Sequence, residues 1–211
     1  MGFDKLKAPL GGQPLIAHSI AAFQDCEQVD QIVLVCAAER VEEFQAIAAK
    51  FSKVIHVVPG GKERVESVLC GVEAFQEPRP YFVAVHDGAR PLIEPNAISA
   101  CYEAAREFGA AVCAEPVTDT LHRVNAEQLA IENVPRKNLW RMQTPQTMEL
   151  DALESLLREV HETGGTTTDE MTLLIRAGGK PKVVENSSPN LKVTYPRDLE
   201  LAELIFQRRN S

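Results

Sequence analysis

A chain of 211 residues with 45% hydrophobic and 25% charged content is long enough for one domain with a substantial core and too short for two full ones. Its 22 basic and 30 acidic residues leave a formal charge of −8, which argues against a broad nucleic-acid surface while leaving room for a few basic groups focused in a cleft. Cys26, Cys36, Cys70, Cys101 and Cys113 form no Cys-x-x-Cys pair and predict buried thiols in a reducing cytoplasm. With no apolar run of membrane-span length and no signal-peptide order at its start, the chain reads as cytoplasmic, without membrane or nucleic-acid partners.

Along the chain, β-rich runs at 31–36, 54–58, 81–86, 110–115 and 182–184 alternate with amphipathic stretches of helical length. This is the βα pattern of a mostly parallel, twisted sheet. Pro14 and Pro95 fit first-turn helix positions, Thr167 with Glu170 makes a capping-box pattern, and Gly178-Gly179 closes the helix that follows. A last helix begins near Pro196 and buries Leu199, Ala202, Ile205 and Phe206 on one stripe. The alternation breaks at 117–135, where two strands, 117–124 and 129–134, flank a polar turn at 125–128. An isolated hairpin is marginal in water, so this arm is expected to pack on the main sheet or on a second subunit.

Two segments carry candidate chemistry. Val83-Ala84-Val85-His86-Asp87-Gly88-Ala89-Arg90-Pro91 is an apolar run that ends in an acid, two small residues and a base. It reads as a buried strand delivering Asp87 and Arg90 to the carboxyl edge of the sheet, where open α/β folds place ligands. In Gly60-Gly61-Lys62-Glu63-Arg64-Val65-Glu66-Ser67-Val68, the apolar helix face of Val65, Val68, Leu69 and Val72 lies apart from Arg64, Ser67 and Gly71. Free backbone N–H groups after the Gly pair, with Arg64 and Ser67, suit a nucleotide's base, ribose or phosphate.

These segments, with Lys5 in Asp4-Lys5-Leu6, Asp119-Thr120, Pro135-Arg136, Leu139-Trp140, the Gln143-Thr144-Pro145-Gln146 turn, Thr168-Asp169-Glu170 and Leu191-Lys192-Val193-Thr194, occur in an ordered series over nearly the whole chain. That series resembles the 2-C-methyl-D-erythritol 4-phosphate cytidylyltransferases. The resemblance implies a single-domain Rossmann-like nucleotidyltransferase fold, α/β with a projecting β-hairpin arm, and transfer of CMP from CTP to a sugar-alcohol phosphate with release of pyrophosphate. It implies Mg²⁺ held mainly by the CTP phosphates, with Asp87 a possible ligand, and a homodimer built through the 117–135 arm.

By the same resemblance, Lys5 and Lys192 are the transition-state lysines at the triphosphate, and Gly61, Arg64, Ser67 and Asp87 are nucleotide-side residues. Asp87, Arg90, Thr120, Arg136, Thr144 and Thr168 are substrate-side. Arg136 would grip the sugar phosphate across the dimer interface. Asp87 either holds substrate hydroxyls or helps to organise the metal and phosphates. The family opens with a strand and a Gly-rich loop of the form P-A-A-G-x-x-x-R-M, and Met1-Gly2-Phe3 stands where that loop ends. The expectation is a chain lacking its first, central strand and anion cradle, binding CTP weakly. Ribitol 5-phosphate is the alternative acceptor, and a catalytically impaired nucleotide-binding module of the same fold the alternative role. A Rossmann dehydrogenase lacks its G-x-G-x-x-G fingerprint here.

Overall fold

Residues 4–209 are described by the structure, a computed structural model; Met1-Gly2-Phe3, the expected remnant of the Gly-rich loop, lies outside the described residues. A tight antiparallel turn pairs β1 (Pro9–Leu10) with β2 (Gln13–Pro14). Gly11 at its tip takes φ +52°, and a Cβ there would collide with the Phe206 ring. The chain continues through α1 (Leu15–Gln24), β3 (Ile32–Cys36), α2 (Val41–Ala48), β4 (Val54–Pro59), α3 (Arg64–Glu73), β5 (Phe82–Val85), α4 (Pro95–Phe108) and β6 (Ala110–Pro116). There follow β7 (Leu121–Val124), β8 (Ala130–Val134), β9 (Trp140–Glu149), α5 (Leu150–Glu162), α6 (Glu170–Arg176), β10 (Lys182–Glu185) and α7 (Pro196–Arg209).

The five β-rich runs all form strands, and the architecture is α/β. The sheet, however, is mixed rather than mostly parallel. In the four-stranded order β10-β6-β9-β5, β10 is parallel to β6, while β9 runs antiparallel to both β6 and β5. The segment 143–146, expected as a turn, is the buried middle of β9, with a cis peptide at Thr144–Pro145. Its Gln, Thr and Pro residues disguise a strand because their polarity is satisfied inside the protein. Gln143 Oε1 accepts hydrogen bonds from Asn190 and Asn186 at 3.0 and 3.4 Å, and Gln146 Oε1 accepts two backbone N–H bonds from the start of α6.

Strand alternation sorts the core onto two faces. Val83 and Val112 join Leu69, Met148, Leu153 and Leu157 beneath α3 and α5, whereas Phe82, Ala84 and Cys113 pack with Phe23, Ile98 and Tyr102 beneath α1 and α4. The α7 stripe packs on the expected side, with Ala202 buried and Leu199, Ile205 and Phe206 half-buried against Leu10, Leu15 and Leu92. All five cysteines are free; Cys26, Cys101 and Cys113 are buried, but Cys36 and Cys70 are only half-buried.

The helix starts partly follow expectation. Pro95 opens α4, while Pro14 precedes α1 as its N-cap. For α6 the cap is Asp169, whose carboxylate accepts from Thr172 N at 2.7 Å, not Thr167, and Glu170 turns inward instead of closing a capping box. The box in this chain joins Glu63 to Glu66 at the start of α3. Gly178 closes α6 with φ +87°.

Two features lie outside the main sheet. Among the described residues, strands β7 and β8 pair antiparallel with each other alone, and Val124, Leu129 and Ile131 on this arm are exposed. Strands β3 and β4 form a separate parallel pair. Among the described residues, β3 pairs only with β4 and β5 only with β9, and a cavity of about 740 Å³ opens between the two strands. Val33, Val35, Val83, Val85, Ile20 and Val68 are among its lining residues.

Candidate active site

The site begins where β5 ends. Val83 to Val85 are held between the two core faces, and the chain leaves the strand at His86 and Asp87. The neighbouring strand β9 pins that exit: Thr144 Oγ1 accepts the Asp87 N–H at 3.1 Å and lies 3.0 Å from His86 Nδ1. Nε2 of His86 is 3.2 Å from the Arg90 carbonyl, an acceptor only, so Nε2 carries the proton and Nδ1 accepts from the Thr144 hydroxyl. Burial pulls the imidazole pKa down to about 4, which keeps His86 neutral at physiological pH.

Three cations from separate parts of the chain meet the Asp87 carboxylate. Arg64 Nη1, from the first turn of α3, lies 3.1 Å from Oδ1, while Lys192 Nζ and Arg90 Nε approach Oδ2 at 3.0 and 3.4 Å. Burial alone would raise the Asp87 pKa. Lys192, Arg64 and Arg90 outweigh it and hold the carboxyl at about 2. Arg90 is anchored further by the Asn190 carbonyl at 2.8 Å, and Arg64 by Glu170. Lys192, with 42% of its side chain exposed, is the most accessible of the three cations.

The other expected residues stand at varying distance from this cluster. Gly61 and Ser67 line the same cavity as Arg64, and the Ser67 hydroxyl is turned back onto the carbonyls of Gly61 and Glu63. Lys5 precedes Leu6, another lining residue, and forms no ion pair among the described residues. Thr144 is 4% exposed with its hydroxyl committed to His86 and Asp87, so it acts from beneath the site. Thr120 and Arg136 are exposed at the base of the arm, where Arg136 donates to the Thr118 carbonyl, and they do not join the Asp87 cluster. Thr168 is exposed two residues before the buried Glu170. Sequence reasoning missed His86, Gln146, Glu170 and Asn190 as parts of the site. None left a usable signal of that role: Glu170 is already accounted for as the capping-box partner of Thr167, and the partners of the other three lie far away in sequence.

Among the described residues no group of three or more His, Cys, Asp or Glu side chains is arranged to hold a metal ion. Asp87 has about four lone-pair positions and three cationic donors on them. That donor set fits a Mg²⁺ carried in by phosphates and taking one carboxylate oxygen from the protein, the usual mode for this ion.

A carboxylate ringed by arginine and lysine at the exit of a sheet strand makes an α/β site suited to anionic ligands such as phosphates. The family model described as 2-C-methyl-D-erythritol 4-phosphate cytidylyltransferase matches residues 1–208, and the chain belongs to that family. A relative of that name from Lachnospira eligens is 36% identical over 203 residues, covering 94% of this chain and 88% of the relative. The crystal structure of 2-C-methyl-D-erythritol 4-phosphate cytidylyltransferase from Thermus thermophilus superposes with a TM-score of 0.80 at 30% identity, over 96% of this chain and 93% of that one. In fold, the chain is also similar to 4-diphosphocytidyl-2C-methyl-D-erythritol synthase from Anaerococcus prevotii, with a TM-score of 0.88 at 23% identity, covering 96% and 93% of the two chains. The chain is thus a cytidylyltransferase, transferring CMP in isoprenoid precursor synthesis. No helix among the described residues is long and apolar enough to cross a membrane.

Proposed function

We propose that this chain transfers CMP from CTP to 2-C-methyl-D-erythritol 4-phosphate, giving CDP-methylerythritol and pyrophosphate. The observation that carries the reading is the convergence of Arg64, Arg90 and Lys192 on Asp87. A phosphate oxygen of the acceptor attacks the α-phosphorus of CTP as the bond to pyrophosphate breaks, and two polyanions must be brought together without a covalent enzyme intermediate. Lys192, accessible at the edge of the cluster, meets the α-phosphate, and Lys5 reaches the triphosphate from the turn before Leu6. Gly61 and Ser67 border the cytidine side. Asp87, fixed through its backbone by Thr144, orients either acceptor hydroxyls or the phosphate-bound ion. Mg²⁺, when bound, neutralises phosphate charge and polarises the phosphoryl oxygens.

The arm completes the assembly. Exposed Val124, Leu129 and Ile131 support a homodimer in which Thr120 and Arg136 of one protomer serve the acceptor site of the other, which accounts for their distance from Asp87. The free thiols support a reducing cytoplasm as the place of reaction. The test is pyrophosphate release from CTP with methylerythritol 4-phosphate or ribitol 5-phosphate as acceptor. Release with the first acceptor is expected; release with ribitol phosphate alone, or with neither, refutes the reading.

A further inference from the structure

Glu170 is 1% exposed, and both its oxygens are taken by one guanidinium: Arg64 Nε donates to Oε1 at 3.1 Å and Nη2 to Oε2 at 2.8 Å. The outward edge of the same fork, Nη1, reaches Asp87 Oδ1 at 3.1 Å. The planar, bidentate geometry gives Arg64 one orientation and commits three of its five N–H donors to Glu170 and Asp87. Glu170 is itself held from behind. Its N–H and that of Met171 donate to Gln146 Oε1 at 2.9 and 3.1 Å, and Gln146, in β9, is 2% exposed. Burial raises the Glu170 carboxyl against the pull of Arg64, so a swing of Arg64 toward a ligand would strand a charge in the interior.

We propose that Glu170 is a positioning residue for the transfer, fixing Arg64 as a strut that aims the Asp87 carboxylate. Arg64 then supports the site from the side and Lys192 is the cation free to follow the substrate's phosphates. The inference rests on the proposed function in one respect, that Asp87 meets the substrates. It adds a residue outside the charged cluster and changes the part Arg64 plays, from nucleotide ligand to support.

The test uses the full chain. Glu170→Gln keeps the shape and one acceptor but removes the charge, and it is expected to lower kcat/KM for pyrophosphate release about ten- to hundredfold, the scale of an ångström-sized misplacement. In an Asp87→Ala background the same substitution is expected to change kcat/KM less than about twofold, since the strut then has nothing to aim. A merely structural role lowers activity equally in both backgrounds, and that result, or wild-type kcat/KM in Glu170→Gln, overturns the proposal. If Glu170→Gln does not fold, ¹⁵N NMR of the wild-type chain decides. The Arg64 Nε–H resonance, assigned by its loss in Arg64→Lys, is expected to be protected from solvent exchange both free and with saturating Mg·CTP. Loss of protection with Mg·CTP shows Arg64 leaving Glu170 and refutes the strut. A wild-type chain that releases no pyrophosphate refutes the functional reading, while the exchange protection of the free protein still reports on Glu170.

Discussion

Lys192 Nζ sits 3.0 Å from Asp87 Oδ2, on the open side of a carboxylate whose other oxygen is taken by Arg64. The Asp87 side chain is 13% exposed and that of Lys192 42%, so the lysine is the member of the cluster that can exchange a protein partner for a phosphate.

Lys192→Met is therefore expected to lower kcat/KM by about 10²–10³, the loss typical of removing one preorganised charge-stabilising group. Asp87 keeps Arg64 and Arg90, so the thermal midpoint should hold within a few degrees. Pyrophosphate release and thermal denaturation together check this; a Lys192→Met enzyme with near-normal turnover contradicts the role.

Acid should weaken the fold in two stages. With a folded pKa of about 4 against an ordinary 6.5, His86 takes its proton in the unfolded chain first, so stability falls as pH drops from 6.5 toward 4, by up to about 3 kcal/mol. Asp87, held at about 2, contributes stability that is full above its ordinary 3.8 and lost as pH falls through 2. Urea midpoints at pH 7 and pH 4.5 read the first stage. His86→Phe should be less stable at pH 7, having lost its bonds to Thr144 and Arg90, yet show a smaller difference between the two pH values. An undiminished difference would assign the acid sensitivity elsewhere.

Gln146 joins β9 to the start of α6 through two backbone N–H bonds. Gln146→Leu leaves both donors buried without an acceptor, at about 1–3 kcal/mol each, which for a chain of this size lowers the thermal midpoint by about 4–24 °C. Calorimetry measures it. Because Glu170 is displaced with the helix start, turnover should fall beyond what the lost stability explains.

If the arm builds the proposed homodimer, Ile131→Asp converts it to monomers, read by sedimentation, without unfolding the main domain, since among the described residues β7 and β8 pair only with each other. Arg136→Ala and Lys192→Met homodimers should both be nearly inactive. Their mixed dimers should recover up to half of wild-type turnover in heterodimers, because both defects fall in one shared pocket and spare the other. No recovery would place Arg136 in its own protomer's site.

Much of this protein is written locally. The apolar run 83–85, the Val65, Leu69 and Val72 helix face, the Pro95 start of α4 and the α7 stripe are each decided by side-chain periodicity against a core, and all appear as expected. The order of short motifs likewise marks the family. Tertiary structure alone decided the rest. Segment 143–146 is a strand because Asn186, Asn190 and the start of α6 arrive to satisfy its polar groups, and no periodicity within it records those partners. Glu170 faces Arg64 rather than its own helix start, and Lys192 reaches Asp87, because sheet pairing and helix packing bring together groups far apart in sequence. Local pattern encodes which face is buried; which charges meet depends on the contacts that close the fold.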